Sequence, residues 1–310
     1  MTVAAGAVRI GLFAGEGTRC AATAAGIWRL LAGAGATACV HAAAREAFEP
    51  ALAAGARWCA TPAALAASCD VLFTVLATPA DAEALLAGPE GLEAMPVAVP
   101  RSGAQGAGAA GAATLLVDMG TLAPGDVQAV AARLAVPGID MVDVAAVGEG
   151  ALRAGGSPAA FDRARPVLAP FGTDLRHVGA IGAGRVVGCC HRIVESLTIE
   201  AVAEAMTLAR RLGADPARVR AALAGGFAAS HVLDVHGARM LSREFIPGLE
   251  AGVAADALGV VVDEAHRLGL DLPGSALVAQ HMNALMGAGD AGLDSAALVK
   301  VLERMAGEAR

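Results

Sequence analysis

Two side chains that can take part in chemistry are adjacent on the longest helical pattern in the sequence. Apolar residues recur at helical spacing through the stretch 179–212, and His191 and Arg192 lie in its first half. A histidine can donate a proton near neutral pH, and an arginine can hold a carboxylate or a phosphate. The alternative interpretation is that His191 is a packed helix histidine and Arg192 a surface charge.

A glycine turn follows the first apolar run directly. Residues Ala7–Ala14 are predicted as a buried strand, and Gly15-Glu16-Gly17-Thr18-Arg19-Cys20 leads from it into a helical stretch. In a dinucleotide-binding fold, such glycines let the backbone approach a pyrophosphate at the helix N-terminus. Because Cys20 replaces the third glycine, the position of the turn after a strand is the main signal. Gly15 and Gly17 are therefore predicted to contact a cofactor.

Arg45 bears on the choice between the two nicotinamide cofactors. The second predicted strand is Ala36–His41, and NAD-binding folds place an acidic residue near its end for the ribose hydroxyls. In this sequence His41 is followed by three alanines and then by Arg45. If a dinucleotide binds, Arg45 favours NADP over NAD. The alternative is a solvated arginine that opens the next helix.

The elements that would position these residues alternate between strands and helices in the first part of the chain. Further strands are predicted at Asp70–Leu76, Leu115–Met119, Ile139–Val144 and Asp174–Val178, helices at 46–54, 62–67, 80–87, 124–134 and 158–168, and loops at 102–113 and 147–156. Such crossovers imply a mainly parallel sheet with helices on both faces. Ligands of these sheets bind at the carboxyl ends of the strands. Leu76, Ala77 and Thr121 are therefore predicted to contact the cofactor.

After the long helix pattern only further helices are predicted. They cover 215–223, 230–241, 247–268, 276–286 and 293–306. The sequence thus predicts an α/β Rossmann-like, doubly wound domain at 1–180 and an all-α domain at 181–310, joined by a long helix at about 184–212.

Composition and charge exclude several classes of function. The chain of 310 residues has a formal net charge of -7, and its basic residues are scattered, which argues against nucleic acid as a partner. Charge, glycine or proline interrupts every long apolar stretch, and no signal peptide is evident, so we expect a cytoplasmic protein with no membrane partner. The 6 cysteines show no metal-ligand spacing. We expect them to be buried apolar residues and expect no metal site.

The order of motifs resembles the β-hydroxyacid dehydrogenase family, typified by 3-hydroxyisobutyrate dehydrogenase and related to 6-phosphogluconate dehydrogenase. The matching segments span nearly the whole chain: 70–76, 117–124, the turn 179–184, 223–226, 229–233 and 239–241. The resemblance implies a Rossmann domain, a helical domain that closes a cleft and forms a homodimer, and NAD(P)-dependent chemistry on a small β-hydroxy acid. It also implies substrate contacts at Gly148 and His231.

The resemblance fails at the positions where the family carries its chemistry. The family's catalytic lysine corresponds to Gly188, and its supporting asparagines correspond to His191 and Arg192. The serine of its substrate loop corresponds to Val147, and a second lysine corresponds to Asp256. Hydride transfer to or from an alcohol carbon needs a group that moves the hydroxyl proton. We therefore predict His191 and Asp256 as replacement proton-transfer groups and Arg192 as a substrate ligand.

Two hypotheses follow from this mixture of match and mismatch. The first is an oxidoreductase that uses NADP or NAD, with NADP favoured, and that has an altered proton-transfer site acting on a hydroxy acid, a semialdehyde or an imine. The second is a non-catalytic dimeric binding or scaffold relative of the family, in which cofactor binding is weakened or lost.

Overall fold

The computed structural model describes residues 8–36, 38–96, 114–248 and 250–307. The chain divides into two compact units, Met1–Gly188 and Cys189–Arg310. In the described ranges, no helix has the length and apolar character needed to cross a membrane. The loop predicted at 102–113 lies outside the described residues.

The first unit is built on one twisted sheet. Its described strands are β1 (Ile10–Ala14), β2 (Ala38–Ala42), β3 (Arg57–Trp58), β4 (Val71–Val75), β5 (Leu115–Asp118), β6 (Asp140–Ala146), β7 (Ala151–Gly156) and β8 (Asp174–Gly179). They are arranged in the order β3-β2-β1-β4-β5-β6-β7-β8. The strands from β1 to β6 pair in parallel. From β1, successive strands are added first on one side, as β2 and β3, and then on the other side, as β4, β5 and β6, so the order changes direction between β1 and β4. Such a switch point opens a crevice at the carboxyl ends of the strands.

Helices cover both faces of this sheet. They are α1 (Thr18–Gly33), α2 (Glu49–Ala53), α3 (Pro62–Ala67), α4 (Pro79–Leu86), α5 (Pro124–Leu134) and α6 (Pro158–Leu168). A proline at the first position of α3, α4, α5 and α6 fixes where each helix begins, because its missing N–H has no partner in the first turn in any case. Alternate residues of the strands enter two cores, so Leu12 packs with α1 and α6 and Phe13 with α3, α4 and α5.

The prediction of a loop over 147–156 was wrong for residues 151–156. Residues Ala151–Gly156 form β7, which pairs antiparallel with β6 and in parallel with β8. Its sequence, Ala-Leu-Arg-Ala-Gly-Gly, contains no β-branched or aromatic residue, so intrinsic propensity gives no strand signal. Pairing on both sides and burial of its last three residues form the strand instead. The two-residue edge strand β3 was also missed.

The second unit is helical in its described part. The long helix α7 (Ala183–Arg211) starts in the first unit and continues into the second. It is followed by α8 (Pro216–Leu223), α9 (His231–Ser242), α10 (Ala251–Arg267), α11 (Pro273–Gly287) and α12 (Val299–Met305). A core that includes Met206, Leu258 and Met282 joins them. The predicted fold class, a Rossmann-like sheet domain and an all-α domain joined by a long helix, is confirmed.

The expectation that all cysteines are buried was wrong for part of the set. Cys20, Cys59 and Cys69 are buried, Cys39 and Cys189 are half-buried, and Cys190 is exposed. Cys189 and Cys190 are consecutive residues of α7 and therefore point in different directions around the helix. In the described ranges, no group of three His, Cys, Asp or Glu side chains could hold a metal ion.

Candidate functional site

The predicted glycine turn lies at the carboxyl end of β1. The N–H of Gly15 donates to the Val75 carbonyl at 3.0 Å, which ties the turn to β4. A Cβ at Gly15 would lie 2.3 Å from Cγ of Asp81, so only glycine fits there. Gly17 has a φ of 93° and leads into α1, whose first turn contains no acidic residue. An anion can therefore approach the uncapped N–H groups at the start of this helix.

Hydrogen bonds link the three loops that follow β1, β4 and β5. The Asp81 carboxylate accepts the N–H of Glu16 at 2.7 Å and the N–H of Ala77 at 2.9 Å. The Leu76 carbonyl accepts the N–H of Thr121 at 2.8 Å. The structure therefore brings together five predicted residues at the carboxyl ends of the strands, which we call the cofactor edge: Gly15, Gly17, Leu76, Ala77 and Thr121. Asp81 was not predicted from the sequence, because an acid near a helix start usually serves as a cap.

Arg45 lies in the loop after β2, next to the glycine turn on the cofactor edge. It begins a short 3-10 turn after β2, is exposed, and lies over the Trp58 indole with 5.3 Å between the guanidinium carbon and the ring centroid. The Trp58 ring contacts the His41 ring at 5.2 Å between centroids. Nδ1 of His41 lies 2.9 Å from the Cys59 carbonyl oxygen. This stack holds the Arg45 guanidinium in place while leaving it open to a ligand.

A buried ion pair lies at the carboxyl ends of β5 and β6. Nη2 of Arg185 donates to Asp118 Oδ2 at 2.5 Å and to the Asp118 carbonyl at 3.0 Å, and Nη1 donates to the Val144 carbonyl at 3.0 Å. The Thr74 hydroxyl donates to the other carboxylate oxygen of Asp118 at 2.9 Å. The two charged side chains are 7% and 0% exposed. Arg185 therefore belongs to the interior of the first unit and is not available to a ligand.

Asp143 caps the amino end of α7. Its carboxylate accepts the N–H groups of Gly182 and Arg185, each at 2.7 Å. Burial raises the pKa of this carboxyl above its ordinary value, although both N–H groups and the Arg185 charge favour the ionised form. A negative charge at this end of a helix is favourable. Asp143 and Asp118 thus fix the first turn of α7 on the sheet.

Gly188, which the resemblance aligns with the family's lysine, lies one turn into α7. A Cβ there would be 3.0 Å from the Cβ of Ala145 on β6, so the helix lies close to the strand. Gly188 carries no group that could transfer a proton. Gly148, the predicted substrate contact, lies between β6 and β7 with a φ of 144° and is exposed.

His191 and Arg192 meet at one carboxylate in the second unit. Nη1 of Arg192 donates to Oε2 of Glu195 at 2.5 Å, and Nε2 of His191 lies 3.7 Å from the same oxygen. Burial lowers the pKa of His191, and the Arg192 charge lowers it further against the opposing effect of Glu195. The imidazole is therefore mostly neutral at pH 7. Glu195 was not predicted from the sequence.

The remaining predicted site residues lie on other helices of the second unit. His231 is the first residue of α9, after the N-cap Ser230, and is exposed. Asp256 lies in the second turn of α10 and is half-buried. The catalytic and substrate roles assigned to His191, Arg192, His231 and Asp256 stay predictions.

Two family profiles cover most of the sequence. Residues 25–182 match the NAD binding domain of 6-phosphogluconate dehydrogenase. Residues 182–302 match the profile described as NAD-binding of NADP-dependent 3-hydroxyisobutyrate dehydrogenase. The boundary between the two matches falls at the glycine turn that precedes α7.

Individual relatives give the same result. The chain is 37% identical over 199 residues to the 2-hydroxy-3-oxopropionate reductase of Escherichia coli, which covers 62% of this chain and 68% of the relative. It is 28% identical to a probable 3-hydroxyisobutyrate dehydrogenase-like protein of Arabidopsis thaliana over 81% of this chain and 73% of the relative. The solved 3-hydroxyisobutyrate dehydrogenase of Mycobacterium tuberculosis with L-serine superposes with a TM-score of 0.77 at 25% identity, over 96% of this chain and 99% of that one.

Proposed function

The chain belongs to the β-hydroxyacid dehydrogenase family, and from that premise we propose that it is an NAD(P)-dependent oxidoreductase with an altered proton-transfer site. Its substrate is a small hydroxy acid, the corresponding semialdehyde, or an imine. The observation that carries the proposal is the glycine turn at the switch point of the sheet, which hydrogen bonds link to the loops after β4 and β5.

The residues at the cofactor edge fit a dinucleotide. Gly15 and Gly17 leave the backbone accessible, and the first turn of α1 offers N–H groups with no acidic residue nearby. Leu76, Ala77 and Thr121 would border the part of the cofactor that lies between the strand ends. A nicotinamide cofactor bound there would supply or accept a hydride.

Arg45 supports a preference for NADP. Its guanidinium is exposed after β2 and held over the Trp58 ring, where it can bind a 2′-phosphate. Arg45→Ala should weaken NADPH binding by about tenfold, the loss of one charge-assisted contact, while NADH binding changes little. Cofactor fluorescence titration measures both constants. Equal losses for the two cofactors would contradict the assigned role.

His191 is the proposed proton-transfer group in place of the family's lysine. Because its pKa is lowered, the neutral imidazole can accept the hydroxyl proton of an alcohol during oxidation. Arg192 would hold the substrate carboxylate in competition with Glu195. Asp256 is the other candidate acid or base. Asp256 lies on α10 and His191 on α7, so variants of each can be tested separately.

The test of the proposal begins with binding and continues with turnover. Purified protein is titrated with NADPH and NADH, and then assayed with β-hydroxy acids, their semialdehydes, 2-hydroxy-3-oxopropionate and cyclic imines. His191→Ala should lower kcat by about two to four orders of magnitude without changing cofactor affinity. His266→Ala, an exposed histidine in the last turn of α10, is the matched control. Unchanged turnover in His191→Ala would remove His191 from the mechanism.

A second candidate function rests on the replaced polar residues. Gly188, Val147 and Asp256 stand where the resemblance places a lysine, a serine and a second lysine. A non-catalytic dimeric binding or scaffold protein of this family would tolerate all three. Absence of NADPH and NADH binding at high micromolar concentration would favour this alternative and would reject the oxidoreductase.

A homodimer through the helical unit is part of the proposal. On α7, Val194 is 67% exposed and Leu208 60% exposed, and Phe227 after α8 is fully exposed. An apolar cavity of about 360 Å³ is lined by residues of α7, α8 and α9 and by Ala228. Apolar surface of this kind is usually covered in an assembly. Leu208→Glu should shift the protein to a monomer in sedimentation velocity, whereas Leu268→Glu, at another exposed site, should not.

A cytoplasmic location also stays a prediction.

A further inference from the structure

We infer that Asp81 is a positioning residue for the cofactor site, an inference that rests on the proposed function. Its carboxylate lies between the loop after β1 and the loop after β4, and the residue is 3% exposed. Asp81 is the third residue of α4, and its bond with Thr78 forms a capping box. A cap alone would need contacts only within its own helix. Asp81 also contacts a different strand end.

The contacts of Asp81 divide between its two oxygens. Oδ1 accepts the N–H of Glu16 at 2.7 Å. Oδ2 accepts the N–H of Ala77 at 2.9 Å, the N–H of Thr78 at 2.8 Å and the Thr78 hydroxyl at 3.0 Å. One oxygen therefore serves the glycine turn and the other serves the loop after β4. The three backbone N–H groups can only donate, so both carboxylate oxygens act as acceptors.

The bond to Glu16 fixes the peptide plane between Gly15 and Glu16. That plane sets the direction in which the chain passes Gly17 and enters α1. The absence of a Cβ at Gly15 allows the approach, since such an atom would lie 2.3 Å from Cγ of Asp81. The missing side chain at Gly15 thus leaves room for the Asp81 carboxylate as well as for an approaching ligand.

Hydrogen bonds also connect the loop after β5 to Asp81, through the peptide between Leu76 and Ala77. Asp81 fixes the N–H of Ala77, and the neighbouring Leu76 carbonyl accepts the N–H groups of Thr121 at 2.8 Å and Leu122 at 3.2 Å. The three loops that border the crevice are therefore linked through one side chain and one carbonyl. A cofactor that binds across these loops meets an edge that is already ordered, which reduces the entropy lost on binding.

The test uses Asp81→Asn, which keeps the shape of the side chain but replaces one acceptor oxygen with a donor. Its amide group must face either Glu16 or the Ala77–Thr78 pair, so one loop loses its attachment. We expect the Kd for NADPH to rise about tenfold or more, with KM for the cofactor rising and kcat nearly unchanged. Ser157→Ala is the control, because it removes an N-cap from α6 elsewhere in the same unit. It should lower the melting temperature without changing the Kd.

The outcomes separate this inference from the proposed function. If the wild-type protein binds NADPH and Asp81→Asn binds it equally well, the inference is overturned and the proposed function stands. If the wild-type protein binds neither cofactor, both are overturned. If Asp81→Asn does not fold, Asp81→Ser must show the rise in Kd while remaining folded, because its side chain is too short to reach Glu16 while the Thr78 hydroxyl still accepts the N–H of residue 81.

Discussion

Removal of the Arg185 guanidinium should destabilise the first unit more than any surface charge change would. In Arg185→Met the side chain keeps much of its volume and loses its contacts to Asp118 and Val144. The Asp118 carboxylate, which is 0% exposed, would keep only the Thr74 hydroxyl and a long contact to the Gly120 N–H. Breaking a buried ion pair from one side costs about 3–5 kcal/mol.

The assay is thermal unfolding followed by circular dichroism, with urea titration as a second measure. For a unit of this size, 1 kcal/mol shifts the melting temperature by roughly 2–4 °C, so a fall of about 10 °C is expected. Arg176→Met is the control, since its pair with Asp174 has side chains 68% and 41% exposed and should contribute less than about 1 kcal/mol. Asp118→Asn in the Arg185→Met background should recover part of the loss by removing the unpaired charge. A melting temperature within 2 °C of wild type for Arg185→Met would refute the reasoning.

Three further predictions concern Gly188 and two buried acids. Gly188→Lys should raise the turnover of a β-hydroxy acid about a hundredfold if proton transfer limits the rate. The new Cβ would lie 3.0 Å from the Ala145 methyl, a tight contact, so the variant folds only if α7 or β6 gives way slightly, and its melting temperature is measured first. A folded variant with no gain would show that proton transfer is not limiting. Burial raises the pKa of Asp294, but the hydrogen bonds from His236 and a backbone N–H outweigh it, so the pKa lies below its ordinary value. Asp294→Asn should therefore lower the melting temperature most above about pH 5, and the deficit should shrink as the pH falls through the depressed pKa; a deficit that stays constant from pH 3 to pH 7 would contradict this. Burial raises the pKa of Glu200, so the wild-type protein loses stability as the pH rises through and above about 4.3 and this carboxyl ionises. The difference in melting temperature between Glu200→Gln and wild type should therefore increase over that pH range. A difference that decreases with rising pH would contradict the raised pKa.

Much of the sheet could be predicted because its signals are local. The strands at 71–75 and 115–118 are short apolar runs bounded by turn residues, and they are buried on both faces as parallel strands require. The helices that begin at Pro62, Pro124 and Pro158 were predicted with the bounds the structure has, because proline marks their first residue. The strand at 151–156 could not be predicted, because its neighbours in the sheet determine it rather than its own residues.

Only the part of the site that the backbone forms could be predicted from the sequence. Gly15 and Gly17 show in the sequence because a close approach excludes side chains. The role of Asp81 depends on a contact with Glu16, 65 positions earlier in the chain, and the burial of Arg185 depends on Asp118, 67 positions earlier. A sequence pattern holds no information on such distant pairs until the strand order is known.

The two edges of the sheet also bear on how the protein behaves at high concentration. A long, flat edge strand offers unpaired N–H and carbonyl groups on which another chain can add. Here one edge strand, β3, has only two residues, and one of them is the exposed Arg57. The other edge strand, β8, carries Asp174 and the exposed Arg176. Both edges therefore resist the addition of a strand from a neighbouring molecule, which protects an alanine-rich chain against edge-to-edge aggregation.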